Sequence, residues 1–216
     1  MISNYICVSM YNTINWVLDY IYGWRKYNYY VGTIFNKYYS HVLFNGTWWN
    51  TINENIILGA IPLHNLNHME LLKKENVNAI LCVLEDFEIK PTLYFKPIIK
   101  EDWEKNNISF LQIKIEDSYG AKQEDIITAV NYILDNIRNN KKVYVHCKAG
   151  RGRSASIVLG YLLWKLFDET GYVSDEDVMK TYNEIKKIRG EIYLNDAQLK
   201  PIFEYVHNLN KIILLD

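Results

Sequence analysis

Cys147 and Arg153 frame a loop of five residues, and Ser154 follows the arginine directly. A thiol beside arginines and a helix N-terminus loses its proton readily. The resulting thiolate is a strong nucleophile, and the planar guanidinium of arginine can hold two oxygens of one phosphate group. The Ser154 hydroxyl can donate a hydrogen bond to the thiolate. These residues predict attack of Cys147 on phosphorus, assisted by Arg153 and Ser154.

The residues around this loop are typical of an anion site between a strand and a helix. The run 143–145 is β-prone, and 157–163 is apolar over two helical turns. The first N–H groups of such a helix are unpaired, and Gly150 and Gly152 let the loop turn its own N–H groups inward. The predicted phosphate-binding residues are Lys148, Ala149, Gly150, Arg151, Gly152 and Arg153. The spacing excludes a nucleotide-binding P-loop and a dinucleotide fingerprint. An inert buried cysteine and a sulfur-transferase loop, which usually runs one residue shorter, are the alternatives.

Hydrolysis of a phosphomonoester also needs an acid that protonates the departing alcohol. The strand-like run 108–115 stops at Glu116 and Asp117, in a loop before Ser118. In a parallel sheet, the loops after neighbouring strands meet in one crevice, so Asp117 can reach the Cys147 loop. We predict that Asp117 is first the general acid and then the base that activates water. Glu116 and Asp125 are the reserve candidates, and a turn-forming aspartate is the alternative for Asp117.

Strand-like and helical segments alternate along the chain. The predicted strands lie near 48–50, 55–59, 77–84, 108–115 and 143–145, and the predicted helices cover 64–75, 125–137, 154–167, a segment capped by Ser174 and Asp177, and 197–209. This pattern predicts an α/β fold with a central, mostly parallel sheet of about five strands flanked by helices.

The composition excludes several classes of protein. Of the 216 residues, 49% are hydrophobic and 23% charged, and the net charge is −1, which favours a globular protein without nucleic-acid partners. Three cysteines and no C-x-x-C pair predict neither a disulfide framework nor a zinc site. His64 and His68 are expected to be solvated surface residues rather than metal ligands. We expect no metal and no cofactor, and no apolar run is long enough to span a membrane.

Residues 1–47 differ from the rest and are expected to form an extension before a catalytic domain at 48–216. About half of all aromatic residues lie before residue 52, and Asp19 is the only acid in the extension. Ile14, Val17, Leu18 and Ile21 lie at helical spacing on one face. Such a segment can form a peripheral membrane contact, or it can be an extra helix packed on the domain.

The motif His146-Cys147, five residues, Arg153-Ser154 resembles the signature of the cysteine-dependent protein tyrosine and dual-specificity phosphatases. The resemblance implies a dual-specificity-phosphatase-like fold. Residues 48–209 are further similar to the mitochondrial tyrosine-phosphatase-like phosphatidylglycerophosphate phosphatases. The stretches that carry this similarity are 57–63, 75–77, 85–88, Asp117 with Gly120, and 143–151. Phe87 stands where that family tends to have tyrosine, and Gly152 where it usually has serine.

This second resemblance implies that Asp117 is the acid and that the loop of Glu85, Asp86, Phe87 and Glu88 borders the substrate. It also implies a phospholipid substrate and a location at the mitochondrial inner membrane, with the cytoplasm as the alternative. From the residues themselves, the extra charges of Lys148 and Arg151 suit a substrate with more than one negative group, unless both face solvent. A protein dual-specificity phosphatase and a phosphate-binding pseudophosphatase are the competing hypotheses.

Overall fold

The computed structural model describes residues 31–38, 41, 46–92 and 95–212. The chain divides into two compact units, Met1–Gly46 and Thr47–Asp216. In the first unit, residues 31–38 are helical. The predicted helical face of Ile14 to Ile21 lies outside the described residues.

The second unit is built on five strands, most of them parallel. The strands are β1 (Trp49–Thr51), β2 (Ile56–Gly59), β3 (Val77–Cys82), β4 (Ser109–Gln112) and β5 (Lys142–His146). Their order is β1-β2-β5-β3-β4, and only β1 pairs antiparallel, with β2. The central strand β5 is buried from Val143 to His146, which explains its β-branched and aromatic residues. The predicted sheet is confirmed.

Helices cover both faces of this sheet. They are α1 (His68–Lys74), α2 (Lys100–Lys105), α3 (Gln123–Arg138), α4 (Arg153–Thr170), α5 (Asp175–Ile188) and α6 (Asp196–Ile212). Tyr144, Ile57 and Ile80 share one core cluster with Trp103 of α2. Side chains alternate along a strand, so Val143 and Val145 face the opposite layer, where α3 and α4 pack on the sheet. Helix α4 is therefore central, as its apolar sequence predicts.

Several helix ends follow from local chemistry. Ser174 caps α5 by accepting a hydrogen bond from the N–H of Asp177, and the Asp177 carboxylate accepts from the Ser174 N–H, which is the predicted capping box. Pro201 lies inside α6, past its first turn. Because α2 has a single buried residue, Trp103, it shows no helical periodicity and was not predicted.

Among the described residues, no helix combines the length and apolar character that a bilayer crossing requires.

The prediction for the two histidines is wrong for one of them. His64 is exposed and pairs with Asp102 at 2.9 Å. His68 is instead buried, where its Nδ1 accepts a hydrogen bond from the Leu63 N–H at 3.1 Å. Its ring packs between Trp48 and Trp49. The i,i+4 spacing of the two histidines suggested a surface pair, and it gives no sign of the two tryptophan rings that contact His68.

Candidate active site

The sheet brings the predicted site residues to one edge. Cys147 follows β5 directly, and Arg153 opens α4. The Asp117 loop follows β4, and the Glu85–Glu88 loop follows β3. Because β5, β3 and β4 are parallel neighbours, all three connections leave the sheet at its carboxyl edge.

The phosphate loop, defined here as residues 147–152, has its carbonyl groups fixed from outside. Four consecutive carbonyl oxygens accept hydrogen bonds: Lys148 from the Ile61 N–H at 3.2 Å, Ala149 and Gly150 from Arg189 at 3.0 and 2.8 Å, and Arg151 from the Tyr193 N–H at 3.1 Å. In a trans peptide the N–H points opposite to the C=O. Holding these carbonyls outward therefore turns the following N–H groups into the loop, which forms an anion cradle.

Close packing behind the loop requires two glycines. Gly150 has a φ of +70°, and a Cβ there would lie 2.4 Å from the Gly59 main chain. A Cβ on Gly59 would in turn lie 2.2 Å from the Tyr144 hydroxyl, which donates a hydrogen bond to the Ala60 carbonyl at 2.6 Å. The loop thus rests directly on the end of β2, and side chains at these positions would displace it.

The environment of Cys147 favours a thiolate. Its Sγ accepts hydrogen bonds from the Ser154 hydroxyl at 3.2 Å and from the Gly150 N–H at 3.3 Å. Burial raises the pKa of this thiol, but the charge of Arg153 and the bond from Ser154 outweigh burial and hold the pKa of Cys147 below its usual value. The predicted assistance of Arg153 and Ser154 thus has a geometric basis.

Arg153 is buried and makes several polar contacts. Its guanidinium donates to both carboxylate oxygens of Glu88, at 2.6 and 2.9 Å, and to the Ile115 carbonyl at 2.9 Å. Asp117 Oδ1 lies 3.3 Å from the same guanidinium. Burial opposes the charge, but Glu88 more than offsets it and raises the pKa of Arg153. Such a bidentate pair fixes the plane of the guanidinium.

Asp117 reaches the phosphate loop, as the parallel sheet predicts. Its Oδ2 accepts a short hydrogen bond from the Lys148 ammonium group. Burial raises the pKa of this carboxyl, but Arg153 and Lys148 outweigh burial and hold the pKa of Asp117 below its usual value. Asp117 is therefore a carboxylate in this arrangement.

The remaining acidic candidates lie in different places. Within the Glu85–Glu88 loop, Glu88 points inward to Arg153, while exposed Asp86 pairs with Lys114 at 2.7 Å and Phe87 is half-buried. Of the reserve acids, Glu116 is exposed. Asp125 caps α3 by accepting from the Lys122 N–H at 3.3 Å.

Both extra cations of the loop have acidic partners. Lys148 pairs with Asp117, and its side chain is only 5% exposed. Arg151 donates two hydrogen bonds to Glu191, at 3.0 and 2.9 Å, while its side chain stays 53% exposed. The two charges therefore lie in different environments, which the sequence did not distinguish.

Three further residues touch the site and were not predicted to function there. Arg189 holds the loop carbonyls, and the Gln198 amide lies where a Cβ on Gly152 would meet it. Burial lowers the pKa of His146 to about 4, so its imidazole is neutral at physiological pH. No local pattern marks Arg189 or Gln198.

Among the described residues, no group of three or more metal-ligating side chains is arranged to hold an ion.

Comparison with known proteins gives a consistent result. The family model "Dual specificity phosphatase, catalytic domain" matches residues 71–208. The human phosphatidylglycerophosphatase and protein-tyrosine phosphatase 1 is 30% identical over 159 residues, covering 73% of each chain. The phosphatidylglycerophosphate phosphatase PTPMT1 of Arabidopsis thaliana is 32% identical over 74% of this chain and 43% of its own length. The crystal structure of PTPMT1 in complex with PI(5)P superimposes with a TM-score of 0.65 at 25% identity, covering 77% of this chain and 99% of that one.

Proposed function

The chain belongs to the dual-specificity phosphatase family and is a cysteine-dependent phosphatase, and we propose that it dephosphorylates an anionic phospholipid such as phosphatidylglycerophosphate. The observation that carries the proposal is the joining of Cys147, Arg153 and Asp117 in one crevice. Relatives named as phosphatidylglycerophosphate phosphatases support the lipid substrate.

In the first step of the proposed reaction, the Cys147 thiolate attacks phosphorus. The bond between phosphorus and the alcohol oxygen breaks, and Asp117 gives its proton to that oxygen. In the second step, water attacks the cysteinyl-phosphate while Asp117 takes a proton from it. Phosphate leaves and the thiolate re-forms, so atoms and charges balance.

The proposed acid role requires that Asp117 gain a proton when substrate binds. A phosphate dianion entering the loop is a negative charge next to this carboxylate and occupies part of the guanidinium of Arg153. Both effects raise the pKa of Asp117 from its low value in the unliganded site. The inward N–H groups and Arg153, held by Glu88, stabilise the charge that develops on the phosphoryl oxygens.

The surface around the crevice supports a substrate that lies in a membrane. Tyr119 and Tyr193 are 61% and 69% exposed, on the two loops that border the phosphate loop. These loops are joined by a hydrogen bond from the Asn195 amide to the Ser118 carbonyl at 3.0 Å. Exposed tyrosines are favoured at membrane interfaces, and exposed Arg151 can meet a second anionic group of the headgroup.

We extend the proposal to location on the basis of the relatives. Their names are consistent with a mitochondrial location, and the proposal places the protein at the inner membrane. A contact of the N-terminal residues with that membrane stays a prediction, because residues 1–30 lie outside the described part of the chain. The cytoplasm is the alternative.

A protein phosphatase activity is the second candidate function, because the human relative carries both activities in its name. The deciding experiment compares phosphate release from phosphatidylglycerophosphate in phosphatidylcholine vesicles with release from phosphotyrosine and phosphothreonine peptides. We expect kcat/KM to be at least about tenfold higher on the vesicles. A clear preference for peptides would reject the lipid proposal, and no release from any substrate would indicate a pseudophosphatase.

Tyrosine variants test the membrane-facing surface separately. Tyr193→Ser should slow turnover on vesicles and leave a soluble phosphate ester unaffected. Tyr172→Ser is the matched control, because Tyr172 is 63% exposed but lies beyond the far end of α4, about 27 Å along that helix from the phosphate loop. Equal effects of the two substitutions on vesicles would argue against a membrane contact at Tyr193.

A further inference from the structure

Lys148 is the one residue of the phosphate loop whose charged side chain bonds to the candidate acid. We infer that Lys148 is a positioning residue that holds Asp117 over the phosphate loop, rather than a contact for a second charge of the substrate. The inference rests on the proposed role of Asp117 as general acid.

The two ends of this contact are each fixed to the fold. The Lys148 carbonyl accepts a hydrogen bond from the Ile61 N–H at 3.2 Å, which ties the residue to the end of β2. On the other side, Asp117 Oδ1 accepts from the Ser118 N–H at 3.1 Å. The Ser118 carbonyl is itself held by Asn195 at 3.0 Å. A hydrogen bond between two anchored residues defines the position of the carboxyl group.

The two oxygens of Asp117 meet different cations. Arg153 lies 3.3 Å from Oδ1, while Lys148 bonds to Oδ2. When a phosphate group binds, its oxygens compete with Oδ1 for the guanidinium of Arg153. The contact of Oδ2 with Lys148 does not involve the phosphate-binding face of Arg153. Lys148 can therefore keep the acid in place at the moment when Arg153 is engaged by substrate.

Burial argues against the alternative role. The Lys148 side chain is 5% exposed, against 53% for Arg151. A second anionic group, carried on the part of the substrate that lies outside the crevice, can meet Arg151 at the surface. Lys148 offers such a group almost no accessible surface, because its side chain is buried and already bonds to Asp117.

The test exploits the fact that an acid matters most for a poor leaving group. Phenyl phosphate and 4-nitrophenyl phosphate have nearly the same shape, but 4-nitrophenolate leaves with little need of a proton. If Lys148 positions Asp117, Lys148→Met should slow phenyl phosphate hydrolysis by about 10–100-fold, yet change 4-nitrophenyl phosphate hydrolysis by less than about threefold. Lys148→Arg, which keeps a cation, should recover a large part of the loss. Lys122→Met, at an exposed lysine five residues after Asp117, is the control and should change neither rate.

A double-mutant cycle with Asp117→Asn completes the test. Once Asp117 has lost its acid function, Lys148→Met should cost almost nothing more on phenyl phosphate. Additive losses, or equal losses on the two esters, would overturn the inference. Thermal melting of each variant shows whether it folds, and Lys148→Gln replaces Lys148→Met if the latter does not.

The outcomes also separate this inference from the proposed function. Both esters are soluble, so the lipid proposal has no influence on the result. If Asp117→Asn changes the ratio of the two rates and Lys148→Met does not, only the inference about Lys148 fails. If Asp117→Asn itself leaves the ratio unchanged, the proposed acid is wrong and the inference falls with it.

Discussion

Two buried arginines lie on opposite sides of the phosphate loop and are held in different ways. Arg153, on the substrate side, bonds to the carboxylates of Glu88 and Asp117. Arg189, on the back, donates to the carbonyls of Ala149 and Gly150 and to the Asn50 amide oxygen. Burial opposes both charges, but Glu88 raises the pKa of Arg153, whereas burial prevails at Arg189 and lowers its pKa.

This difference separates two tasks within one loop. On the substrate side, charges are paired with charges and can be redistributed when a phosphate dianion arrives. On the back, the charge is paired with fixed dipoles at 2.8 to 3.0 Å and, at a longer 3.7 Å, with the carboxylate of Glu191, and the dipoles hold the shape of the loop. We therefore propose that the substrate side performs the chemistry and that the back supplies preorganisation. The predictions below test that division.

The largest effect is expected from the nucleophile, on the substrate side. Cys147→Ser should lower turnover by roughly 10⁴-fold or more, as removal of a nucleophile does in other covalent hydrolases. The melting temperature should change little, because serine keeps the size of the side chain. Rates of phosphate release and melting curves provide the measurements.

Cys82 is the matched control for this substitution. It is also buried and ends the neighbouring strand, but burial raises the pKa of its thiol. Cys82→Ala should keep its activity, and iodoacetate should alkylate Cys147 in preference to Cys82. Activity surviving in the Cys147→Ser protein would end the nucleophile assignment.

The next effect concerns the acid on the substrate side. Asp117→Asn should slow turnover of phosphatidylglycerophosphate or phenyl phosphate by about 10²–10⁴-fold, the usual contribution of general acid catalysis. Substrate binding should persist, because the asparagine side chain is of the same size. Steady-state kinetics on either ester measure this. Glu116→Gln is the control, since Glu116 is exposed, and a larger loss there than at Asp117 would move the acid role to Glu116.

At the back of the loop, we expect a substitution to lower turnover less than the Cys147 and Asp117 substitutions do, and to lower the free energy of unfolding more. Arg189→Met leaves the carbonyls of Ala149 and Gly150 without their donor, and an unsatisfied buried group costs about 1–3 kcal/mol. The free energy of unfolding in urea should fall by at least that amount.

Inorganic phosphate distinguishes the two arginines in the same unfolding experiment. A ligand that binds only the folded state stabilises it. Phosphate should stabilise the wild-type protein, still stabilise Arg189→Lys in part, and fail to stabilise Arg153→Lys. If phosphate stabilised Arg153→Lys but not Arg189→Lys, the division between substrate side and back would be contradicted.

The smallest effect is expected from a single hydrogen bond to the thiolate. Ser154→Ala removes a bond that favours the charged form, so the pKa of Cys147 should rise. The thiolate is lost as pH falls through this pKa, so the pH profile of alkylation by iodoacetate should shift to higher pH. An unshifted profile would show that Ser154 does not support the thiolate.

The same two sides differ in how far the sequence predicts them. The substrate side is local: Cys147, Arg153 and Ser154 lie within one short motif, and Asp117 follows from the meeting of loops at the carboxyl edge of a parallel sheet. The back is not local. Arg189 lies after α5, with neither a fixed spacing to the loop nor a periodic pattern around it, so its hydrogen bonds exist only in the folded chain.

Element boundaries show a similar limit. The strand predicted at 77–84 ends at Cys82, although Val83 and Leu84 are equally buried. Hydrophobic sequence reports burial and not the end of strand pairing. The helix predicted from Asp125 begins at Gln123, because Asp125 is the third residue of the helix, where its carboxylate accepts from the Lys122 N–H, and not the start.

The position of Arg189 has a consequence for synthesis. A ribosome completes Asp117, Cys147 and Arg153 before it reaches residue 189. A nascent chain that ends short of Arg189 and Tyr193 therefore carries every reactive group but lacks the donors that turn three of the four loop carbonyls outward. Such a chain lacks most of the hydrogen bonds that shape the anion cradle, so we expect activity to appear only after the segment beyond α5 has emerged and folded.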